Sequence, residues 1–386
     1  VNTVVSSNFI DKVRFRASAQ TTANLSPHLF LKGYAAYGVR DKKWKYEGEV
    51  EYSFLKKQYS PEEFPRNSIA ISTRYDVMAP SDAMLPTDKD NVFTSLKTQT
   101  IDQMSYFRQY NIRYVYEFDN HFGITAQLRH ITQNPTGTLF YRTVGGQMVP
   151  ELTQSEATLS LRYAPGEKVV VTKQRRHPVN HNYPIYTLMH TTGFKDVLGG
   201  DYASNYTELS VTKRFWLNSY GRIDIYGRAG AQWNRVPFPL LITPAANNSY
   251  IIQRSMFNMI NNMEFMNDRF VSLDVQWDLS GKLFNRIPLL KHLKWREVIG
   301  FKTLYGTLTD KNNPFKKGNQ SDLFEFPSRN GQPTSFVMGD TPYMELNVGI
   351  HNIFKILRVD YVRRLNYLNA PNAKKNGVRF VLQFDF

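Results

Sequence analysis

The sequence predicts an all-β fold, a transmembrane antiparallel β-barrel of about sixteen strands. Three observations predict it. First, apolar and polar residues alternate, stretch after stretch, along the 386-residue chain, and neighbouring side chains of a strand point to opposite faces. Second, the closing stretch from Gly377 alternates without a break. Val378, Phe380, Leu382, Phe384 and Phe386 are apolar, whereas Arg379, Gln383 and Asp385 are polar. It has the length of a tilted membrane strand, about ten residues, and a Phe-rich open edge invites aggregation unless a closed sheet covers it. Third, no segment approaches the roughly 18 consecutive apolar residues of a helical span. The mean hydropathy of -0.45 is no obstacle to a barrel, because half of each strand faces water.

The chain opens inside what reads as a strand, Val1 to Ser6, truncated at its N-terminus, so residues 1–386 are expected to form one barrel domain. Val13, Phe15 and Ala17 alternate with Arg14, Arg16 and Ser18. After a turn at Asn24 to His28, the next apolar face is Leu29, Leu31, Gly33, Ala35 and Tyr37. Val50, Tyr52 and Phe54 follow the turn Asp41-Lys42-Lys43, and Ile69, Ile71, Thr73 and Tyr75 follow Pro61 and Pro65. The stretch from Met78 to Gln103 has no period and reads as a surface loop.

Ile112 to Phe118 and Ile124 to Leu128 flank the short turn Asp119-Asn120-His121, and a long loop runs from Gln133 to Gln154. Leu159 to Tyr163 alternates; Pro184 to Phe194 does so weakly. Leu209 and Val211 lead to Phe215-Trp216, and Ile223, Ile225 and Gly227 precede the longest internal loop, Asn234 to Asp268. Val271 to Leu279 is a strand; Phe284 to Leu293 suggests a short amphipathic helical turn. Trp295 to Leu308 leads into a polar loop to Asp340, and Met344 to Ile350, Leu357 to Tyr361 and the closing stretch complete the set. Short and long connections alternate, as in outer-membrane barrels. A soluble sandwich or propeller would show shorter strands and a fixed-period motif, and none is present.

The formal charge is +15, but the 48 basic residues are spread over polar strand positions rather than clustered, so nucleic-acid binding is not expected. A solvated lumen fits better, with rim cations meeting outer-membrane lipid and lipopolysaccharide. The 23 Tyr and 26 Phe suit interfacial girdles. Absence of cysteine excludes disulfides and a thiol nucleophile, and is compatible with an oxidising compartment. His177 and His181 are four apart, but Pro178 and Pro184 make a polar turn the better reading than a ligand pair. No nucleophile elbow, P-loop or His-Glu-x-x-His motif occurs, so neither an enzyme nor a cofactor is expected. The basic amphipathic piece from Phe284 to Trp295 fits either a membrane-interface element or a long turn packed under the barrel.

Several phrases then line up in order. Leu198-Gly199-Gly200-Asp201-Tyr202 precedes a strand ending Lys213-Arg214-Phe215-Trp216, and Ile356-Leu357-Arg358-Val359-Asp360-Tyr361 precedes the Phe-terminated end. This order resembles the sixteen-stranded barrels of the outer-membrane assembly-factor superfamily, of the BamA/TamA and bacterial surface antigen type. More closely, Gly33-Tyr34-Ala35-Ala36-Tyr37-Gly38, Asp41 to Tyr46, Arg162 to Lys168 and Lys294-Trp295-Arg296-Glu297 look similar to an uncharacterised branch of it. Members of that branch carry a carboxypeptidase-regulatory-like domain upstream of the barrel. The superfamily's Arg-Gly-aromatic motif, carried on a long sixth loop tucked into the lumen, is missing here: in Asn234 to Asp268 and just beyond, Arg254 and Arg269 are not followed by Gly.

The resemblance implies a bacterial outer-membrane location. It implies a role in protein assembly, insertion or translocation, with client outer-membrane proteins and periplasmic factors as partners. The residues it marks are Gly377, Phe380, Phe384 and Phe386 of the last strand, Gly199, Gly200, Asp201 and Tyr202, Arg358 and Asp360, and loop residue Arg254. Mechanistically, the edge of the last strand would template a client strand by β-augmentation. The alternatives are a passive porin-like channel, anion-selective through its basic lumen, and a membrane anchor for an upstream periplasmic domain.

Overall fold

The computed structural model describes residues 3–81, 95–171, 176–179, 182–253, 255–319 and 323–382. One sheet holds sixteen strands, each hydrogen-bonded antiparallel to the next in chain order. They are β1 (Val5–Ser6), β2 (Arg14–Gln20), β3 (Leu29–Gly38), β4 (Trp44–Ser53), β5 (Asn67–Met78), β6 (Gln103–Glu117), β7 (Phe122–Gly137) and β8 (Leu152–Tyr163). The second half comprises β9 (Ile185–Phe194), β10 (Ser204–Trp216), β11 (Arg222–Gln232), β12 (Arg269–Asp278), β13 (Arg296–Thr307), β14 (Tyr343–Ile353), β15 (Leu357–Arg364) and β16 (Asn376–Leu382). Sequential antiparallel pairing is what hairpin connections produce, and it puts successive connections at opposite ends. One end carries 79–102, 138–151, 233–268 and 308–342; the other carries 118–121, 217–221 and 354–356.

The alternation resolves into an inside-out protein. Outward side chains are large, apolar and exposed: Leu29 and Leu31 on β3, Trp44 and Tyr46 on β4, Ile69 and Ile71 on β5, Val271 and Leu273 on β12. Inward ones are buried and often charged, Lys45 and Arg14 being wholly buried. A water-soluble fold inverts this arrangement, and an apolar face of this extent exceeds what a soluble monomer exposes. Inside, opposite charges pair across strands, because a desolvated charge needs a partner. Arg14 Nη1 lies 2.6 Å from Asp76 Oδ1, Arg113 Nη2 is 3.2 Å from Glu49 Oε2, and Arg228 Nε is 2.8 Å from Glu208 Oε1.

The loops are more structured than their composition suggests. β6 begins at Gln103, nine residues before Ile112, because Gln103 to Phe107 are buried on both faces and cannot show alternation. The surface-loop reading of Met78 to Gln103 is corrected at both described ends, since Ala79, Ser81, Ile101 and Asp102 are buried. Between Gln133 and Gln154 the flanking strands run on to Gly137 and restart at Leu152, with a small hairpin between Tyr141–Arg142 and Met148–Val149. The connection 308–342 is not simply polar, for it buries Leu323, Phe324, Phe326 and Met338. His177 sits in a two-stranded hairpin, Val169–Val171 with Arg176–Pro178, rather than a turn; His181 lies outside the described residues. Pro288–Leu293 forms the expected helical turn, α1. Proline at its start needs no N–H partner, and Lys294 ends it in a left-handed conformation at φ 56.

Candidate functional site: the filled lumen and the edge of the last strand

The connection 233–268 is the feature that fills the long-loop end. Most of its apolar residues are buried. Ile242, Phe257, Met259, Ile260 and Phe265 pack with wall residues Phe270, Leu304, Tyr343 and Val362 in one core. Val236, Phe238, Leu241, Met263 and Met266 pack with Tyr141, Leu152 and the loop residues Phe324 and Phe326 in another. So many Met, Phe and Ile residues need burial, and the polar lumen wall becomes apolar at the level where they arrive.

Charge fixes the tip. Each of the last four strands sends one charged side chain to the same short stretch of loop. Lys302 of β13 donates to the Met256 carbonyl at 2.6 Å. Glu345 of β14 accepts the Asn258 N–H at 2.9 Å and the Met259 N–H at 3.0 Å. Arg364 of β15 makes a two-pronged pair with Glu264, at 2.6 and 3.1 Å, both side chains being essentially buried. Arg379 of β16 donates to the Asn258 carbonyl at 2.6 Å. Charge-assisted bonds of this kind are the strong ones, and their geometry specifies one docked position.

The same loop reaches the sheet edge. The Phe380 N–H donates to the Tyr250 carbonyl, and the Ile252 N–H donates to the Phe380 carbonyl, both at 2.8 Å. Ile251 is thus bridged in parallel to Phe380. Beyond it lies 95–99: the Tyr250 N–H donates to the Leu96 carbonyl at 2.9 Å and the Thr98 N–H to the Asn248 carbonyl at 2.8 Å. Lys374, just before β16, donates to the Thr98 carbonyl. Burial first, and then the charge of Arg379, pull its amine down to about 8. Among the described residues β1 does not pair with β16, so the chain's own loop occupies the position at Phe380 that a neighbouring strand would take.

Separate cavities lie around the loop. A cavity of about 160 Å³ is lined by Arg214, Asp224, Asp274, Lys302, Arg358 and Asp360, with Asn258 above. Larger cavities of about 650 and 440 Å³ share Arg129, Leu240, Leu241 and Thr243. Around the first of these, Lys302 lies 3.0 Å from Asp274 and Arg358 Nη2 2.6 Å from Asp360.

The residues marked by sequence fall in three places. Arg358 grips Asp360 with two hydrogen bonds, and Asn347 donates to the same carboxylate at 2.7 Å. Gly349 leaves the room: a Cβ there would lie 2.1 Å from Asp360 Oδ1. Gly199 (φ +79), Gly200 and Asp201 close the β9–β10 turn. There Asp201 accepts the Thr153 N–H at 2.7 Å, while Tyr202 packs edge-on against Phe324. On β16, Gly377 faces Met259, and Phe380 carries the loop bridge. Arg254, Phe384 and Phe386 lie outside the described residues. Sequence reasoning missed Glu264, Arg364, Glu345, Lys302 and Arg379 as a set. The signal that was available is Glu264 itself, a lone carboxylate in Met259-Ile260-Asn261-Asn262-Met263-Glu264-Phe265-Met266. A single charge among so many apolar residues implies a buried counter-ion.

Comparison with known proteins places this architecture. The family described as a family of unknown function (DUF5686), C-terminal domain, matches residues 2–315. No curated protein matches the chain in sequence. Among solved structures, BamA from Haemophilus ducreyi lacking POTRA domains 1–3 is 9% identical, with a TM-score of 0.57, over 97% of this chain and 69% of that one. CdiB from Escherichia coli is 8% identical, with a TM-score of 0.53, over 97% of this chain and 60% of that one. The chain therefore spans about three fifths of the length of CdiB. At such identities the likeness is one of fold.

Proposed function

The chain belongs to the DUF5686 family, through its C-terminal domain, and we propose that it is an outer-membrane β-barrel that handles protein segments at the edge of its last strand, under the control of its own loop. Its inside-out burial supports the membrane reading: outward Leu, Val and Trp are exposed while Arg14 and Lys45 are buried. The sequence resemblance to the assembly-factor superfamily supplies the class of role, namely assembly, insertion or translocation.

One observation carries the choice between such a role and a passive pore. The loop 233–268 fills the lumen and its Tyr250–Ile252 segment occupies the β16 edge at Phe380. A steady channel needs an open bore. An edge that accepts β-partners needs a reversible cover, and backbone pairing supplies affinity without sequence demands. Docking of the loop is the closed state; its release frees the Phe380 N–H and C=O for an incoming strand.

The test uses the absence of native cysteines. Residues bridged between neighbouring strands are about 5 Å apart, so the pair Ile251→Cys and Phe380→Cys can be joined by oxidation. The expected result in the native host is depletion of a set of outer-membrane proteins on locking, with recovery on reduction. An unchanged outer-membrane protein profile with the lock fully formed sinks the proposal. In planar bilayers the unlocked protein is expected to give small, irregular openings. Large, steady, anion-selective conductance would favour the porin-like reading.

A further inference from the structure

We infer that one sector of the short-connection rim, formed by 217–221, 279–295 and 354–356, is a binding surface for anionic phospholipid headgroups. The inference rests on the membrane-barrel reading and not on the protein-handling role.

These three connections form one surface. Lys282 Nζ lies 3.4 Å from Ser219 Oγ and 4.2 Å from the centre of the Tyr220 ring. The Trp277 indole N–H donates to the Tyr220 carbonyl at 2.8 Å. At the far side, the Asn352 amide donates to the Lys294 carbonyl at 2.7 Å, tying the end of α1 to the β14–β15 turn.

The surface is apolar where it could have been buried. Leu289 and Leu293, one turn apart on α1, are exposed, as are Leu283, Ile287 and Ile356; Leu289 is 75% exposed and Phe354 85%. Residues i and i+4 share a helix face, so α1 presents an apolar face to the outside rather than packing it under the barrel. This decides between the two readings left open by the sequence. The sector also continues the outward belt, where Phe215 on β10, Ile299 on β13, Val348 on β14 and Tyr361 on β15 are exposed.

Its charge has one sign. From Leu279 to Arg296 the chain carries Lys282, Arg286, Lys291, Lys294 and Arg296 and no carboxylate, and Lys355 adds another cation beside Phe354. Arg286, Lys291, Lys294, Arg296 and Lys355 are exposed. The flanking acids are spent inward: Asp278 pairs with Arg222 at 3.3 Å and with His351 at 3.1 Å, and Glu297 accepts the Phe284 N–H. Several arginines elsewhere in the barrel are matched by carboxylates, as Arg162 is by Glu167 at 2.8 Å. Exposed apolar residues at the belt's edge with unmatched cations between them are what a bilayer interface containing anionic headgroups recognises. An acidic soluble protein would satisfy the cations but would leave Leu289 and Phe354 to be covered by an apolar patch of its own.

The test compares lipid retention by native mass spectrometry after release of the full chain from nanodiscs of phosphatidylethanolamine and phosphatidylglycerol. The variant carries Arg286→Gln, Lys291→Gln, Lys294→Gln and Lys355→Gln, with the four arginine or lysine swaps (Arg286→Lys, Lys291→Arg, Lys294→Arg, Lys355→Arg) as the charge-preserving control. Heat-modifiable gel mobility confirms that each is folded. The wild type is expected to retain phosphatidylglycerol roughly threefold or more over its share of the disc. The Gln variant is expected to lose that preference, and the charge-preserving variant to keep it. Hydrogen exchange across 284–295 should slow in discs containing phosphatidylglycerol relative to discs without it. A wild type without preference overturns the inference, as does a Gln variant that keeps it, or protection that appears only on adding an acidic soluble protein. Failure to enter discs of any composition would instead count against the membrane-barrel reading.

Discussion

Arg364→Met removes one half of the buried pair that holds the lumen-filling loop. In the wild type the guanidinium makes both hydrogen bonds to Glu264 and two further ones, at 3.3 Å to the Met259 carbonyl and at 3.0 Å to the Asn366 carbonyl. Neither side chain of the pair is more than 1% exposed. Among the described residues, the substitution leaves the buried Glu264 carboxylate only the Asn261 N–H, 2.8 Å away, as a hydrogen-bond partner. Orphaning a buried charge costs about 3–5 kcal/mol. On the proposed function the loop leaves the wall with the sheet intact, so that cost falls on docking. The docking equilibrium should weaken roughly a hundredfold to a few thousandfold. Hydrogen exchange of the loop amides from Asn258 to Met266 reads it directly, with β7 and β10 amides as unchanged internal references. The paired variant Arg364→Met with Glu264→Met removes both charges and should recover most of the protection, since replacing a buried pair by apolar groups is often near neutral. Single and double variants that both exchange like the wild type would refute the reasoning, because the loop would then be held by its apolar contacts alone.

Three further outcomes follow from the same geometry. Gly349→Ala drives a Cβ to 2.1 Å from Asp360 Oδ1; overpacking of this kind costs about 1–3 kcal/mol, so the midpoint of heat-modifiable gel mobility should fall, and an unchanged midpoint would contradict the tight Arg358–Asp360–Asn347 arrangement. Lys374 sits at about 8 when docked against Thr98 and near 10.5 when released, so the released form binds more protons between those values; docking should strengthen as pH rises through that window and be insensitive below it, a trend visible in thermal midpoints at the two ends of the window and absent in Lys374→Met. Val271→Arg places a charge on the outward face of β12 and should cost about 2–4 kcal/mol if that position faces the bilayer midplane, measured by folding into lipid vesicles, whereas folding equal to wild type would remove the position from the lipid-facing belt.

The barrel was legible because its rule is local. Val271, Leu273 and Val275 announce an outward face within five residues, and the structure confirms their register opposite Tyr305, Thr303 and Phe301. The rule fails where both faces are covered. Met104, Ser105, Tyr106 and Phe107 are all buried, so the first turn of β6 reads as loop. It also says nothing of residues that only the tertiary fold brings together. Glu264 and Arg364 are 100 positions apart, and nothing in either neighbourhood names the other.

The loop shows the limit most clearly, because there the family motif and the physics part company. The resemblance ties a lumen-tucked sixth loop to an Arg-Gly-aromatic motif, and the missing motif leaves the expected fold standing while it weakens the expectation that the barrel inserts or exports proteins. Yet residues 236–242 and 257–266 are tucked into the lumen. What a docked loop requires is apolar residues enough to justify burial, and a buried charge with a committed counter-ion. Here the loop contributes the acid, Glu264, and the wall contributes the arginine, Arg364. The remaining wall charges, Lys302, Glu345 and Arg379, hold backbone groups, and backbone groups leave no trace in a sequence pattern. A motif search sees the side chain that does the gripping only when it lies on the loop. In this chain most of the grip is on the wall, at lumen positions of β13 to β16 where a charged residue looks like any other solvated one.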